Sequence, residues 1–288
     1  MSPAKLAFSA NAYTRHPLAD ALRGIRRAGF GGAEILADEP HAYPPKIDAA
    51  LTDSVRRVLD ETGLAVSNIN CNCSFGYWKD APPEPYFEPS LISPNPRYRA
   101  DRTAMILKAL DFAKAVGARN ISITSGRLLG GMPPDRAEKQ FAESMKPILD
   151  RAEQVGVDVG VECEPGLYLE YIAELYDWTN RLGSPRFGAN LDVGHSVVAG
   201  EDVRQVVEMM RGRTWNLHVE DLPGRKHYHM IPGEGTFDWG TLKAALDATG
   251  YDRFMTVELY THTADPQAAA EKSYRFLSDL FNGGATGQ

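Results

Sequence analysis

Cysteine is scarce in this chain: Cys71, Cys73 and Cys163 are the three in 288 residues, at spacings that build no disulfide framework. The odd count excludes a disulfide-stapled secreted module and fits reduced thiols in a cytoplasm. Cys71-Asn-Cys73 alone brings too few partners for a structural zinc. No apolar run approaches the ~20 residues that span a bilayer. The N-terminal stretch lacks a basic segment followed by an apolar core, so export is not expected. Basic charge is also short, with 31 Lys and Arg against 38 Asp and Glu and a net charge of −7. That balance argues against nucleic acid as a partner. No glycine-rich phosphate loop follows the first β-like run, where the chain reads Ser9-Ala-Asn-Ala-Tyr13; this disfavours an open dinucleotide-binding sheet. What remains is an ordinary globular composition, 43% hydrophobic and 24% charged.

Short β-rich runs alternate with helical patterns eight times. The strands are expected at Leu6–Ser9, Ala33–Leu36, Ala65–Asn70, Asn120–Thr124, Val157–Glu162, Phe187–Asp192, Thr214–Val219 and Phe254–Leu259. Helices are expected to begin near Leu18, Ala49, Arg99, Arg136, Glu170, Asp202, Thr241 and Pro266; the first carries Leu18, Leu22, Ile25 and Ala28 at helical spacing. A glycine (Gly29, Gly63, Gly117, Gly156, Gly183, Gly212 or Gly250) marks each helix-to-strand junction, where a left-handed residue ends a helix without a Cβ penalty. Alternation of this kind implies a parallel sheet with right-handed crossovers. Eight units in about 250 residues predict an α/β fold closed as a (β/α)₈ TIM barrel, one domain over 1–288 with a flexible tail at 282–288.

Four consecutive predicted strands end on a metal-type ligand: Glu162, Asp192, His218 and Glu258. Barrel enzymes place their chemistry at the C-terminal ends of strands, so these side chains are expected to meet around one divalent cation. Ion pairs or loop caps are the bland alternative. A mostly oxygen donor set suits Mn²⁺ first, then Mg²⁺, with Co²⁺ or Zn²⁺ also admitted. Glu164 lies two residues beyond Glu162 and faces the same side if the strand continues. His195 follows Asp192 by three, and His229 lies on the loop after strand seven. Asp221 is placed to support His218 as a hydrogen-bond acceptor.

Glu162, Asp192-x-x-His195, His218-x-x-Asp221, Gly233-Glu-Gly235 and Glu258 resemble the sugar phosphate isomerase/epimerase superfamily, whose barrel is xylose isomerase-like. The resemblance implies that Glu162, Asp192, His218 and Glu258 hold the metal and that His195 contacts substrate oxygens. It also implies that Glu162 and Glu258 exchange protons on opposite faces of a sugar. The activity it implies is isomerisation or epimerisation of a sugar or keto-sugar: a carboxylate removes the proton beside a carbonyl polarised by the cation, through an enediolate. A metal-dependent lyase or dehydratase acting on a keto-sugar, inosose or 3-keto-glycoside is the alternative, and a non-catalytic sugar-binding subunit a distant one. Glu162-Cys-Glu164-Pro-Gly departs from the Glu-x-x-Asn pattern of ketose 3-epimerases. A homodimer or homotetramer is the family-level expectation.

After strand three comes a long insertion, 71–98, with Pro82, Pro83, Pro85, Pro89, Pro94 and Pro96 among Phe75, Tyr77, Trp78, Tyr86 and Phe87. A loop of this length in a compact domain usually has a task. It is expected to act as a lid or an oligomer contact, with Trp78 as a substrate-stacking candidate. Arg97, Arg99, Arg102, Arg127, Arg225 and Lys226 are the candidates for a phosphate contact, with surface solvation the default for each.

Overall fold

Eight parallel strands close on themselves in the computed structural model, which describes residues 4–78 and 87–283. They are β1 (Lys5–Ser9), β2 (Gly32–Leu36), β3 (Ala65–Asn70), β4 (Asn120–Thr124), β5 (Asp158–Glu162), β6 (Phe187–Asp192), β7 (Thr214–Val219) and β8 (Phe254–Val257). β1 pairs with β8, Phe8 opposite Val257, so the sheet has no edge. The helices are α1 (Leu18–Ala28), α2 (Ala49–Thr62), α3 (Pro96–Val116), α4 (Pro134–Val155), α5 (Ile172–Leu182), α6 (Val193–Ala199), α7 (Val203–Met209), α8 (Trp239–Thr249) and α9 (Pro266–Asn282).

The apolar stripe read in α1 is the buried face: Ala21, Leu22 and Ile25 are fully covered. Glycines in left-handed geometry cap α1 to α5 and α8, as the junction pattern predicts. Three details differ from expectation. α3 and α4 begin at Pro96 and Pro134, a few residues early, because proline is suited to a helix's first turn. β8 ends at Val257, one residue before Glu258. A short helix, α6, follows β6 directly because Asp192 accepts from the backbone N–H of His195 and caps it.

The barrel interior is unusually polar. Inward positions recur with period two along each strand, and many carry amides. Asn68 donates to Glu34 and Ser122, Asn120 donates to Asn68, Asn216 donates to Asn190, and the Thr256 hydroxyl donates to Asn216. Each of these amides thus has partners, which offsets its desolvation. Gly160 on β5 has a steric reason: a Cβ there would stand 2.6 Å from the Asn190 backbone nitrogen.

The described part of the 71–98 segment is tied down from two sides. Asp38 accepts from the backbone N–H groups of Phe75 and Gly76. Arg102 on α3, buried rather than solvated, donates to the carbonyls of Cys71, Asn72 and Cys73 and to the Ser74 hydroxyl. The stretch 79–86, including Pro82, Pro83, Pro85 and Tyr86, lies outside the described residues, as do 284–288 of the tail. Among the described residues no helix is long and apolar enough to cross a membrane, and the three cysteines are free.

Candidate active site

Glu162, Asp192, His218 and Glu258 do converge: one ligand atom of each lies within 4.8 Å of the others, and all four are buried. Glu162 and Asp192 are the last residues of β5 and β6, His218 is the penultimate residue of β7, and Glu258 follows β8. Asp192 and His218 are register partners across the β6–β7 pair. The His218 Nδ1 atom stands 3.1 Å from Glu162 and 3.6 Å from Glu258.

Two register shifts in the sheet fall at the residues that touch that imidazole. One falls between Ala33 and Glu34 on β2, the other between Ala189 and Asn190 on β6; such bulges re-aim side chains. Glu34 accepts from His218 Nε2 at 2.6 Å, and Asn190 lies 3.1 Å from Nδ1. Glu34 is itself held by the Ser9 hydroxyl, Asn68 and Asn70. Asn190 and Asn72 donate to Glu162, while Asn11 and Asn70 donate to Glu258. Asp221 does not support His218: its carboxylate accepts from the backbone N–H groups of Leu222, Gly233 and Phe237 and from the Trp239 indole. Its work is to shape the loop after β7.

The donor set fits a divalent cation. Three carboxylates and one imidazole crowd a buried space, and Asp192 Oδ2 has no hydrogen-bond partner there. A buried carboxylate oxygen without a partner is costly unless a cation takes its lone pair. Burial pushes the Glu258 carboxyl up to about 8, with His218 pulling it back and Glu162 and Glu34 pushing it further. Burial opposes protonation of His218, yet Glu34, Glu258 and Glu162 together hold it well above the ordinary imidazole value.

Glu164, His195 and His229 gather beside these four residues. Glu164 lies 3.7 Å from His195 Nε2, and burial pushes its carboxyl up to about 7. His195 sits 3.7 Å from Asp192; burial disfavours its charge, but Asp192 and Glu164 outweigh it and move the imidazole up to about 9. Burial lowers His229 to about 3. Trp78 makes its described contacts elsewhere: its indole donates to the Glu88 carbonyl and its ring meets Tyr77 and Tyr98 beside α3.

Several site residues lie outside the sequence reading. Glu34, Asn70, Asn72 and Asn190 stand on strands or just past them, and only their inward parity signalled a role. His227 had a clearer sign, the His-x-His spacing with His229. Glu220 is fully buried with neither oxygen partnered, and burial, then Asp192 and Glu258, raise its carboxyl well above the ordinary range. It fits because Gly194 has no side chain: a Cβ there would lie 1.6 Å from Glu220 Oε1.

A family model described as xylose isomerase-like TIM barrel matches residues 22–280. The fructoselysine 3-epimerase of Escherichia coli O157:H7 is 25% identical over 252 residues, spanning 86% of this chain and 88% of that protein. The L-ribulose-5-phosphate 3-epimerase of Salmonella paratyphi C is 23% identical over 250 residues, 86% of this chain and 84% of its own length. Among solved structures, a D-tagatose 3-epimerase-like protein superposes with a TM-score of 0.79 at 17% identity, covering 98% of this chain and 100% of that one. A 3-keto-D-glucoside 4-epimerase from E. coli does so at 0.78 and 18%, covering 95% and 98%. The IOLI protein, described with a bound zinc atom, reaches 0.77 at 14%, covering 98% and 100%.

Proposed function

Since the chain belongs to the xylose isomerase-like TIM barrel family, we propose that it is a divalent-metal-dependent isomerase or epimerase of a sugar or keto-sugar. The observation that carries this reading is the placing of two carboxylates, Glu162 and Glu258, with Asp192 and His218 around one buried point. These four would hold the cation, Mn²⁺ first on the oxygen-rich donor set. Bound there, a cation supplies Lewis-acid polarisation of a substrate carbonyl and holds the negative charge of an enediolate.

The residues account for the rest. Glu162 and Glu258 serve as base and acid: one takes the proton beside the carbonyl, and the other returns a proton to the opposite face or the neighbouring carbon. Asn11, Asn70, Asn72 and Asn190 aim these carboxylates by donating to them, so little reorganisation accompanies proton transfer. His195, His229 and Glu164 meet the substrate's hydroxyls. Asn72, at the anchored start of the 71–98 segment, touches Glu162, so the described residues 71–78 border the site.

The relatives act by name at different positions, two as 3-epimerases and one as a 4-epimerase, so the reacting carbon is left to experiment. A lyase is the second reading. It is favoured by Glu164, a carboxyl that keeps its proton up to about 7 beside His195; such an acid suits a departing group, which epimerisation lacks. The test is solvent deuterium exchange over a panel of ketoses and keto-glycosides. Wild-type protein is expected to exchange one C–H, and Glu162→Gln and Glu258→Gln to lose that exchange. Unchanged exchange in both variants would sink the proposal, and a β-eliminated product would select the lyase.

A further inference from the structure

At the end of the barrel opposite Glu162, Asp192, His218 and Glu258, a recess of about 400 Å³ opens among Arg119, Asp158, Arg186, Trp215 and Arg253. Each of these residues stands at or just before the start of a strand. Arg119 precedes β4, Asp158 opens β5, Arg186 precedes β6, Trp215 is the second residue of β7 and Arg253 precedes β8. The recess therefore lies under β5 to β8, whose other ends carry the candidate active site.

Three guanidinium groups gather there, in a chain whose net charge is −7. Asp158 is buried and is the one acid among the described lining residues. Its Oδ1 accepts from Arg186 Nη1 at 2.9 Å and its Oδ2 from Arg253 Nη2 at 3.1 Å. Both carboxylate oxygens are thus engaged, while the exposed Arg119 pairs with no acid among the described residues. The C-terminal end of α4 at Val155 brings about half a negative charge. One carboxylate and one helix end do not balance three guanidinium groups, so the recess is positive.

Local structure fixes two of the arginines. Gly188 on β6 has no side chain, and a Cβ there would stand 2.5 Å from Trp215 Nε1. The indole fills that space, and the Arg253 guanidinium lies over its ring, 5.2 Å from the centroid. Held by the ring and by Asp158, the Arg253 side chain is only 17% exposed. Its Nη1 is shielded from water and has no acceptor in the protein; an N–H left in that state is costly. Arg186 spends Nη1 on Asp158 and makes no other hydrogen bond among the described residues. The rest of its planar fork is available, in the geometry that suits carboxylate or phosphate oxygens.

We propose that this recess binds a tetrahedral oxyanion, as free phosphate or as the phosphate of a small monoester. Arg186 and Arg253, spaced by Asp158, form its inner wall, and Arg119 stands at its rim. The length of the strands separates the site from Glu162 and Glu258. A bound anion neutralises the clustered guanidinium groups and ties the starting ends of β4 to β8 together, which stabilises the folded barrel.

Isothermal titration calorimetry on the full chain tests this with inorganic phosphate and, in a second arm, glycerol phosphate. Chelator treatment beforehand ensures that no cation at the barrel mouth draws the anion. Wild-type protein is expected to bind one anion per chain, more weakly as salt rises. The tighter probe identifies free phosphate or a monoester as the ligand. Arg119→Glu is expected to weaken binding about 10-fold or more, and Glu162→Gln to leave it unchanged. Absence of binding in the wild type overturns the proposal, as does binding undiminished in Arg119→Glu or lost in Glu162→Gln. If Arg119→Glu does not fold, anomalous diffraction from wild-type crystals soaked in selenate decides. A peak between Arg186 and Arg253 supports the site, and its absence overturns it.

Discussion

Glu34 and His218 form a 2.6 Å hydrogen bond in the closed interior of the barrel, both fully buried, with the carboxylate accepting from Nε2. This bond sets the tautomer of the imidazole and turns Nδ1 toward Glu162 and Glu258. Glu34→Gln keeps the shape and removes the charge. Metal affinity is expected to fall by about 10- to 100-fold, the usual effect of losing such a support. Competitive metal titration measures it, and an unchanged dissociation constant would show that Glu34 plays no part.

Asp221 gathers four donors on one carboxylate, from Leu222, Gly233, Phe237 and Trp239. In Asp221→Asn one acceptor oxygen becomes a donor and faces N–H groups. A loss of about 2–4 kcal/mol is expected, since hydrogen bonds to charged groups are worth roughly 1.5–3 each. Urea unfolding gives the energy. Hydrogen exchange over 222–237 should rise with it, because this loop carries His227 and His229.

Gly194 and Glu220 occupy shared space. Gly194→Ala puts a methyl where Glu220 Oε1 now lies, and overpacking in a closed core costs about 1–3 kcal/mol. Combining it with Glu220→Ala should recover much of that loss. The two changes will be non-additive in a double-mutant cycle; simple additivity would mean the contact carries no strain.

The proton on Glu164 links stability to pH. Its folded value of about 7 stands above the ordinary 4.5, so between those values the folded state binds more protons than the unfolded state. Stability from this group is therefore present below pH 4.5 and lost as pH rises through 7. In chelator-treated protein, Glu164→Gln should gain on wild type by roughly 2–3 kcal/mol between pH 4.5 and 8. Denaturation midpoints at the two ends of that range test the sign; a constant difference would refute it.

The legible part of the site was the part set by local pattern. Glu162, Asp192 and Glu258 each follow a short apolar run, and His218 nearly ends one, so strand parity and strand ends located them. Glu34 escapes the sequence reading because Gly-Ala-Glu-Ile-Leu reads as any strand, and its partner His218 lies 184 residues away. Asn190 is the same case on β6. Arg102 reads as solvated by its charge, although Met105, Ile106, Ala109 and Ala113 continue its face of α3 at helical spacing. Its burial follows from the chain returning over it at Cys71–Ser74. Asp221 was assigned to the nearest histidine in sequence, whereas its partners lie up to 18 residues ahead.

By itself the sequence determined the alternation of strand and helix, the glycine punctuation and the residue types at the strand ends, because each rests on backbone preferences within a few residues. From these follow the barrel and the convergence of Glu162, Asp192, His218 and Glu258. Only the tertiary structure decided which nitrogen of His218 faces the carboxylates, which amides hold Glu162 and Glu258, and that His227 joins His195 and His229. The contacts that hold Glu162 and Glu258 join residues from 28 to 247 positions apart, and such contacts leave no periodic trace in the chain.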